Sequence, residues 1–335
     1  MSKKRVTREN VARIAGVSPS TVSRALSGHE AISIETREKI LKISADLGYT
    51  PSQLSRNYYQ NKSFRLGLVI PFIQIHNEFE TLPREYFSKL MLGGTATAMN
   101  NNFSLQLIPD SGLTTSQLAS KVESKEVDGL IITGGKKGDS RFEELFEQKV
   151  PFVAIHHYNS EIPYHYVDID PRGGLEEAIN DLKSKSVQNI AYIGSGTEFV
   201  NSDDRLTVLK QLTEKYEMSL MHVIQGDYSL KSGYKCGMEL LKIKGLDAIF
   251  CANDRMAFGL LERCLEVGVK VPETLKIIGF DDQEISILSR PKLTTIENPF
   301  FEIGKKAVSM LIKLINGESC QSKKLTSRLI LREST

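Results

Sequence analysis

The chain has no tryptophan and only four cysteines among its 335 residues. Cys236, Cys251, Cys264 and Cys320 form no CxxC pair and show no metal-like spacing with histidine, so reduced thiols serving as small apolar side chains are expected. No stretch approaches the ~18 uninterrupted apolar residues of a membrane-crossing helix, and the basic start MSKKRVTREN has no apolar export segment behind it. A cytoplasmic protein without membrane attachment is the expectation. There is no tandem repeat or low-complexity tract. With 40% apolar and 25% charged residues, the composition excludes a disordered or fibrous chain, and the length calls for more than one core.

Catalytic signatures are lacking too. IGSGTEF at Ile193 to Phe199 carries GxG after a strand but has Phe199 where a third glycine belongs, and GGKKGDS at Gly134 to Ser140 lacks P-loop spacing. No nucleophile, base and orienter assemble by motif, and His156 with His165 is a poor metal set. No catalytic residue, cofactor or metal is expected.

Charge is short overall but unevenly placed. Net charge is +2, yet residues 1 to 65 hold 12 Lys+Arg and 5 Asp+Glu, a net +7, against 31 and 36, a net −5, in the remainder. A basic head on a mildly acidic body suits a polyanionic partner, although a charge-rich end is also compatible with a solvated surface.

The first fifty residues read as three short helices. Thr7 caps the first, with Val11, Ile14 and Ala15 on its apolar face, and Gly16 and Val17 make a tight turn. Ser18 caps the second, with Pro19 in its first position, and Ser33 caps the third, which runs through Ile40, Ile43 and Leu47 to Gly48. The stretch NVARIAGVSPSTVSRAL, Asn10 to Leu26, has helix-turn-helix spacing: small Ala12 lets two helices approach, and Val22 with Leu26 packs the second on the first. Pro19, Ser20, Ser23 and Arg24 are then left facing outward, as an element entering a major groove requires. A three-helix bundle that merely packs on a larger domain is the alternative.

After Pro51, polar residues Ser52 to Ser63 read as a linker. From Arg65, strand-like runs alternate with helical ones: Leu66–Ile70, Ser104–Ile108, Gly129–Thr133, Phe152–Ile155, Ile190–Gly194, Ala248–Cys251 and Lys276–Gly279. The βαβ pattern predicts parallel, doubly wound sheets.

The stretch from Thr7 to Pro51, with AGVSPSTVSRALSG, ISIETREKI and LGYTP, resembles the head of the LacI/GalR family of transcriptional regulators. ANDRMAFG at Ala252 to Gly259, IIGFDD at Ile277 to Asp282, PKLTTI at Pro291 to Ile296 and the final LILREST resemble its core, in the same order. The resemblance implies an all-α helix-turn-helix head, residues 1–51, a hinge, 52–63, and a periplasmic-binding-protein-like α/β core, 64–335. That core has two doubly wound parallel-sheet lobes: an N-lobe of about 64–166 plus 297–324, and a C-lobe of about 167–296 plus 325–335.

It further implies a sequence-specific repressor that grips a pseudo-palindromic operator as a homodimer under allosteric control by a sugar-like effector in the inter-lobe cleft. Base readers match Pro19, Ser20 and Arg24, and phosphate contacts match Thr7, Ser18, Thr21, Ser23 and Thr36. The minor-groove hinge matches Ser52, Leu54, Ser55, Arg56 and Tyr58, where the family's intercalating leucine is replaced by Tyr58; an ordinary linker is the alternative. Without leucine heptads after LILREST, a dimer is expected rather than a tetramer joined by a coil.

Effector contacts match Arg205, Tyr228, Asn253, Phe280 and Asp281, with Asn253 and Asp281 equally able to cap local structure. Val208 stands where a glycine is usual after Arg205. Sugar-responsive relatives often place an aspartate after the strand beginning at Pro151; here His156 and His157 follow it. With Lys136 and Lys137 at another strand end, the cleft is expected either to accept an acidic sugar or to carry only surface lysines and a satisfied histidine.

Overall fold

A computed structural model describes residues 6–26, 29, 31–49, 62–71, 84–196 and 199–335. Contacts divide the chain into two units, Met1–Phe64 with Ser124–Asp128, and Arg65–Glu123 with Gly129–Thr335.

In the first unit, three helices form where the caps dictate. Before α1 (Arg8–Ala15), the Thr7 N–H donates to Asn10 Oδ1 at 2.9 Å, and Gly16, at φ 71°, closes the helix in a left-handed conformation. Ser18 Oγ accepts from the Thr21 N–H at 3.1 Å at the start of α2 (Pro19–Leu26). Ser33 does the same for Thr36 at 3.3 Å before α3 (Ile34–Leu47), which stops at Gly48. Val11, Ala12, Ala15, Val22, Ala25 and Ile40 form the core. Ile14, expected among them, is 51% exposed: the small Ala12 and Ala15 with Val11 already fill the seam between the helices.

The second unit holds two α/β lobes. Its first half contains β1 (Arg65–Pro71), α4 (Arg84–Asn100), β2 (Ser104–Asp110), α5 (Thr115–Glu123), β3 (Leu130–Thr133), α6 (Ser140–Glu147), β4 (Phe152–Ile155) and β5 (Tyr166–Asp170). Next come α7 (Arg172–Ser184), β6 (Asn189–Gly194), α8 (Val200–Lys215), β7 (Ser219–Gln225), α9 (Leu230–Leu240), β8 (Ala248–Cys251), α10 (Asp254–Val267), β9 (Lys276–Asp281), α11 (Glu284–Leu288) and β10 (Thr294–Glu297). The last elements are α12 (Phe300–Ile315), β11 (Lys323–Thr326) and β12 (Leu329–Ile330).

The N-lobe sheet runs β11-β5-β4-β3-β1-β2 and the C-lobe sheet β12-β10-β9-β8-β6-β7. All pairings are parallel except that of β10 with β12. The chain therefore crosses between lobes after Asp170, after Glu297 and after Thr326. The first and last crossings lie later than the boundaries at 166 and 324 expected from sequence, because β5 and β11 both complete the N-lobe sheet.

The seven expected strands form; β5, β7, β10, β11 and β12 were not anticipated. YVDID in β5 disguises a buried strand with two aspartates, while β7 is an edge strand with alternating exposure. Close helix packing in each lobe relies on glycine. A β-carbon on Gly304 of α12 would overlap the Leu90 carbonyl oxygen of α4, and one on Gly259 of α10 would overlap the Leu230 carbonyl oxygen of α9. Among the described residues no helix is long and apolar enough to cross a membrane.

Candidate nucleic-acid interface and effector cleft

On α2, Ser20 and Arg24 are exposed and Pro19 is half-buried. The hydroxyls of Ser18, Ser20 and Thr21 cluster at its N-terminus, with Ser18 Oγ 2.7 Å from Ser20 Oγ and 2.8 Å from Thr21 Oγ1. This is the end of a helix that favours an anion. Thr7 is exposed beside α1 and Thr36 half-buried in the first turn of α3. Ser23 corrects the expectation: it is buried, and its Oγ accepts from Arg8 Nη1 at 3.4 Å. Position 23 follows Val22 around the helix onto the side packed against α1, so its hydroxyl is not on the outward face. Ser52, Leu54, Ser55, Arg56 and Tyr58 lie outside the described residues.

The second site lies between the lobes, at the carboxyl ends of their parallel strands, where doubly wound sheets bind ligands. Arg205 rises from α8 and is buried. Its Nη1 donates to the Ala252 carbonyl at 2.7 Å, its Nη2 lies 3.7 Å from Asp281 Oδ1, and its guanidinium carbon sits 3.9 Å from the Phe280 ring centroid. Asp281 ends β9 and also accepts from Gln283 Nε2 and Asn298 Nδ2, each at 3.2 Å. Burial raises the Asp281 pKa above the ordinary carboxylate value, although Arg205 pulls it down.

Asn253 is almost fully committed to local structure. Its Oδ1 caps α10 through the Met256 N–H at 2.9 Å, and its Nδ2 holds the Tyr228 carbonyl at 3.0 Å. It shapes the wall that carries Tyr228. His156, at the end of β4, pairs its Nδ1 with Asp168 Oδ1 at 2.8 Å and lies 5.6 Å, ring to ring, from Tyr86. His156, Tyr228 and Asp281 all have left-handed backbones, with φ of 58°, 67° and 102°. Such conformations are uncommon outside glycine and concentrate at binding sites.

Lys137 Nζ bonds Asp203 Oδ2 at 2.5 Å, and Lys136 is exposed, its carbonyl lying 3.1 Å from His157 Nε2. His157 itself stacks on Phe142 with ring centroids 3.9 Å apart and bonds the Tyr164 hydroxyl. Of the two lysines, Lys137 is thus paired with Asp203 of the other lobe and Lys136 is exposed, while His156 is already bound to a carboxylate. Polar contacts also bridge the lobes: Glu85 Oε2 accepts from the Glu284 N–H at 2.7 Å, and Lys324 Nζ reaches Asp204 Oδ2 at 3.3 Å.

Residues 7–52 match the family model for bacterial regulatory proteins of the lacI family, and residues 179–335 match a periplasmic binding protein-like domain. Catabolite control protein A of Priestia megaterium is 32% identical over 339 residues, spanning 98% of this chain and 99% of that protein. This chain belongs to the LacI family. The HTH-type transcriptional repressor CytR of Escherichia coli K12 is 30% identical over 98% of the chain and 96% of its own length. Among solved structures, a transcriptional regulator CelR–cellobiose complex superposes with a TM-score of 0.73 at 27% identity, covering 99% of this chain and 100% of that one. A lac repressor dimer bound to operator and an anti-inducer shares the fold, with a TM-score of 0.78 at 24% identity over 99% of both chains. As a LacI-family regulator with DNA-binding and ligand-binding domains, the protein stands with transcriptional regulators, not enzymes.

Around the cleft this regulator carries residues that sequence reasoning missed. Tyr86, Asp168, Tyr192, Gln283 and Asn298 surround or act electrostatically on Arg205, Asp281 and His156. Arg205 Nε, Asp168 Oδ2, Tyr192 Oη and Asn298 Oδ1 are buried with no hydrogen-bond partner among the described residues. Buried polar atoms left unsatisfied cost stability unless something else meets them. An aspartate inside YVDID was the available signal, since a buried strand carries a charge only with a partner.

Proposed function

We propose that this regulator is a repressor that binds a pseudo-palindromic operator as a homodimer and is controlled by a sugar-like effector held between its lobes. The observation that carries the reading is the coexistence, in one chain, of a capped helix with exposed Arg24 and a junction between two lobes where buried polar atoms lack partners among the described residues beside the face of Phe280. Arg24 offers two donors to guanine O6 and N7, while Pro19 and Ser20 shape the fit and Thr7, Ser18, Thr21 and Thr36 meet phosphates. In the dimer, paired hinges with Leu54, Arg56 and Tyr58 clamp the operator centre in the minor groove.

Support for a homodimer comes from the sheet edges. β2 and β7 are outermost in their sheets, and Leu107, Met221 and Val223 on them are exposed, as are Leu92 and Met99 of α4. Apolar edge strands are ordinarily covered. Support for a sugar comes from the cellobiose complex already described and from an Enterococcus faecium LacI-family regulator with bound ribose, TM-score 0.69 at 28% identity. Arg205, Asp281 and the aromatic walls of Phe280 and Tyr228 suit a hydroxyl-rich ring. The effector changes operator affinity only by its differential affinity for the two lobe arrangements.

Selection of bound duplexes from a random pool, with and without a carbohydrate panel, tests the reading. An enriched pseudo-palindrome whose retention changes with one sugar supports it; indifference to duplex sequence under every sugar removes it. Arg24→Ala is expected to weaken the selected site by about 1–3 kcal/mol and to relax one base position in each half-site, measured by competition binding.

A further inference from the structure

β5 runs three residues beyond its last pairing with β4, at Val167, and Asp168, the first of them, sits beside His156. Asp168 is wholly buried, and its Oδ1 accepts twice, from the Ile169 N–H at 2.8 Å and from His156 Nδ1 at 2.8 Å. A carboxylate oxygen has no proton to give, so His156 Nδ1 is the donor in this pair. A neutral imidazole has a single N–H. With that proton committed to Asp168, Nε2 is left with a lone pair. The left-handed turn at His156 carries the ring past the strand end. There it lies against Tyr86, a side chain on which both Asp168 and Asp281, the latter from the other lobe, act electrostatically.

Resting on the sugar-effector reading above, we infer that His156 and Asp168 form a dyad in which Asp168 fixes the ring and His156 Nε2 accepts a hydroxyl of a neutral sugar. His156 thereby does the accepting work of a carboxylate without its charge, and Asp168 is a positioning residue. The same arrangement selects against sugar acids and sugar phosphates. An anion entering here meets a lone pair and lies between two buried carboxylates, Asp168 and Asp281, with Arg205 already engaged by Ala252 and Asp281. Lys137 is paired with Asp203, and Lys324, which acts electrostatically on Asp168, is paired with Asp204.

Two measurements on the full chain test the dyad. Nitrogen NMR of the histidine rings at neutral pH, with His156 assigned by its loss in His156→Gln, is expected to show the Nδ1–H tautomer. An Nε2–H tautomer or an imidazolium overturns the assignment, whether or not any variant folds. Calorimetry then compares neutral mono- and disaccharides with their uronate and phosphate derivatives. Neutral sugars are expected to bind the wild type, and Asp168→Ala, which removes the oxygen that holds the Nδ1–H in place, is expected to weaken them about 10- to 100-fold. An unchanged unfolding midpoint in that variant separates lost recognition from lost structure. Tighter binding of the charged derivatives, or neutral binding indifferent to Asp168→Ala, overturns the dyad while leaving the sugar reading intact. Failure of every carbohydrate to bind overturns the sugar reading itself, and the ligand part of this inference with it.

Discussion

The two lobes share one strand plan. Place for place, β2, β1, β3, β4, β5 and β11 of the N-lobe correspond to β7, β6, β8, β9, β10 and β12 of the C-lobe. The end of β4 is therefore the counterpart of the end of β9, and the residues there, His156 and Asp281, both adopt left-handed backbones. Their chemistry differs. The C-lobe aims a buried carboxylate at a buried guanidinium and braces it with two amides, whereas the N-lobe aims an imidazole held by a carboxylate from the next strand. One backbone plan thus fixes where the two side chains stand and leaves their charge free to vary.

The sharpest break in that comparison is expected from Arg205→Ala. It strands Asp281 as a buried carboxylate without its cation, so urea unfolding should show a loss of about 3–5 kcal/mol. His156→Ala in the N-lobe leaves Asp168 Oδ1 its Ile169 N–H, and a smaller loss of about 1–3 kcal/mol is expected in the same measurement. Equal losses would mean that the lobes do not differ in how they hold charge.

A second contrast should vanish. Gly304→Ala presses on the Leu90 carbonyl in one lobe and Gly259→Ala on the Leu230 carbonyl in the other, in each case between packed helices. Both are expected to destabilise by about 1–3 kcal/mol, since the obstacle is backbone and cannot rotate away. Thermal unfolding that finds one variant neutral would show that its lobe can spread its helices.

The smallest effect concerns pH. Asp254, wholly buried at the start of α10, accepts from the Gln283 N–H at 2.7 Å and the Thr295 hydroxyl at 2.5 Å. Burial raises its pKa well above the carboxylate norm. A raised folded-state pKa contributes stability at pH values below the unfolded pKa, and that contribution is lost as pH rises through the folded one. Asp254→Asn stays neutral throughout, so its stability relative to wild type should improve as pH rises from acidic toward neutral. A difference that is flat with pH in paired urea titrations would remove Asp254 as the source.

Much of the C-lobe site was readable in advance because its residues follow recognisable strands: Asn253 after FC at the end of β8, and Phe280 with Asp281 within IIGFDD. The N-lobe side was not. Asp168 lies in a segment too acidic to read as a strand, and Tyr86 reaches the cleft from a helix whose approach depends on its packing against α12. Ser23 failed for a related reason, since helical spacing alone cannot say which flank of α2 a neighbouring helix covers.

Sequence alone determined the caps, the turn at Gly16, the alternation of strands and helices, and the family resemblance, because each rests on interactions a few residues apart or on motifs in fixed order. The tertiary structure alone decided that Asp168 takes up His156, that Asp203 takes up Lys137, and that Asp281 meets Arg205 and Asn298. Those partners lie 12 to 76 positions apart in the chain, and only the order of strands in the two sheets brings them together.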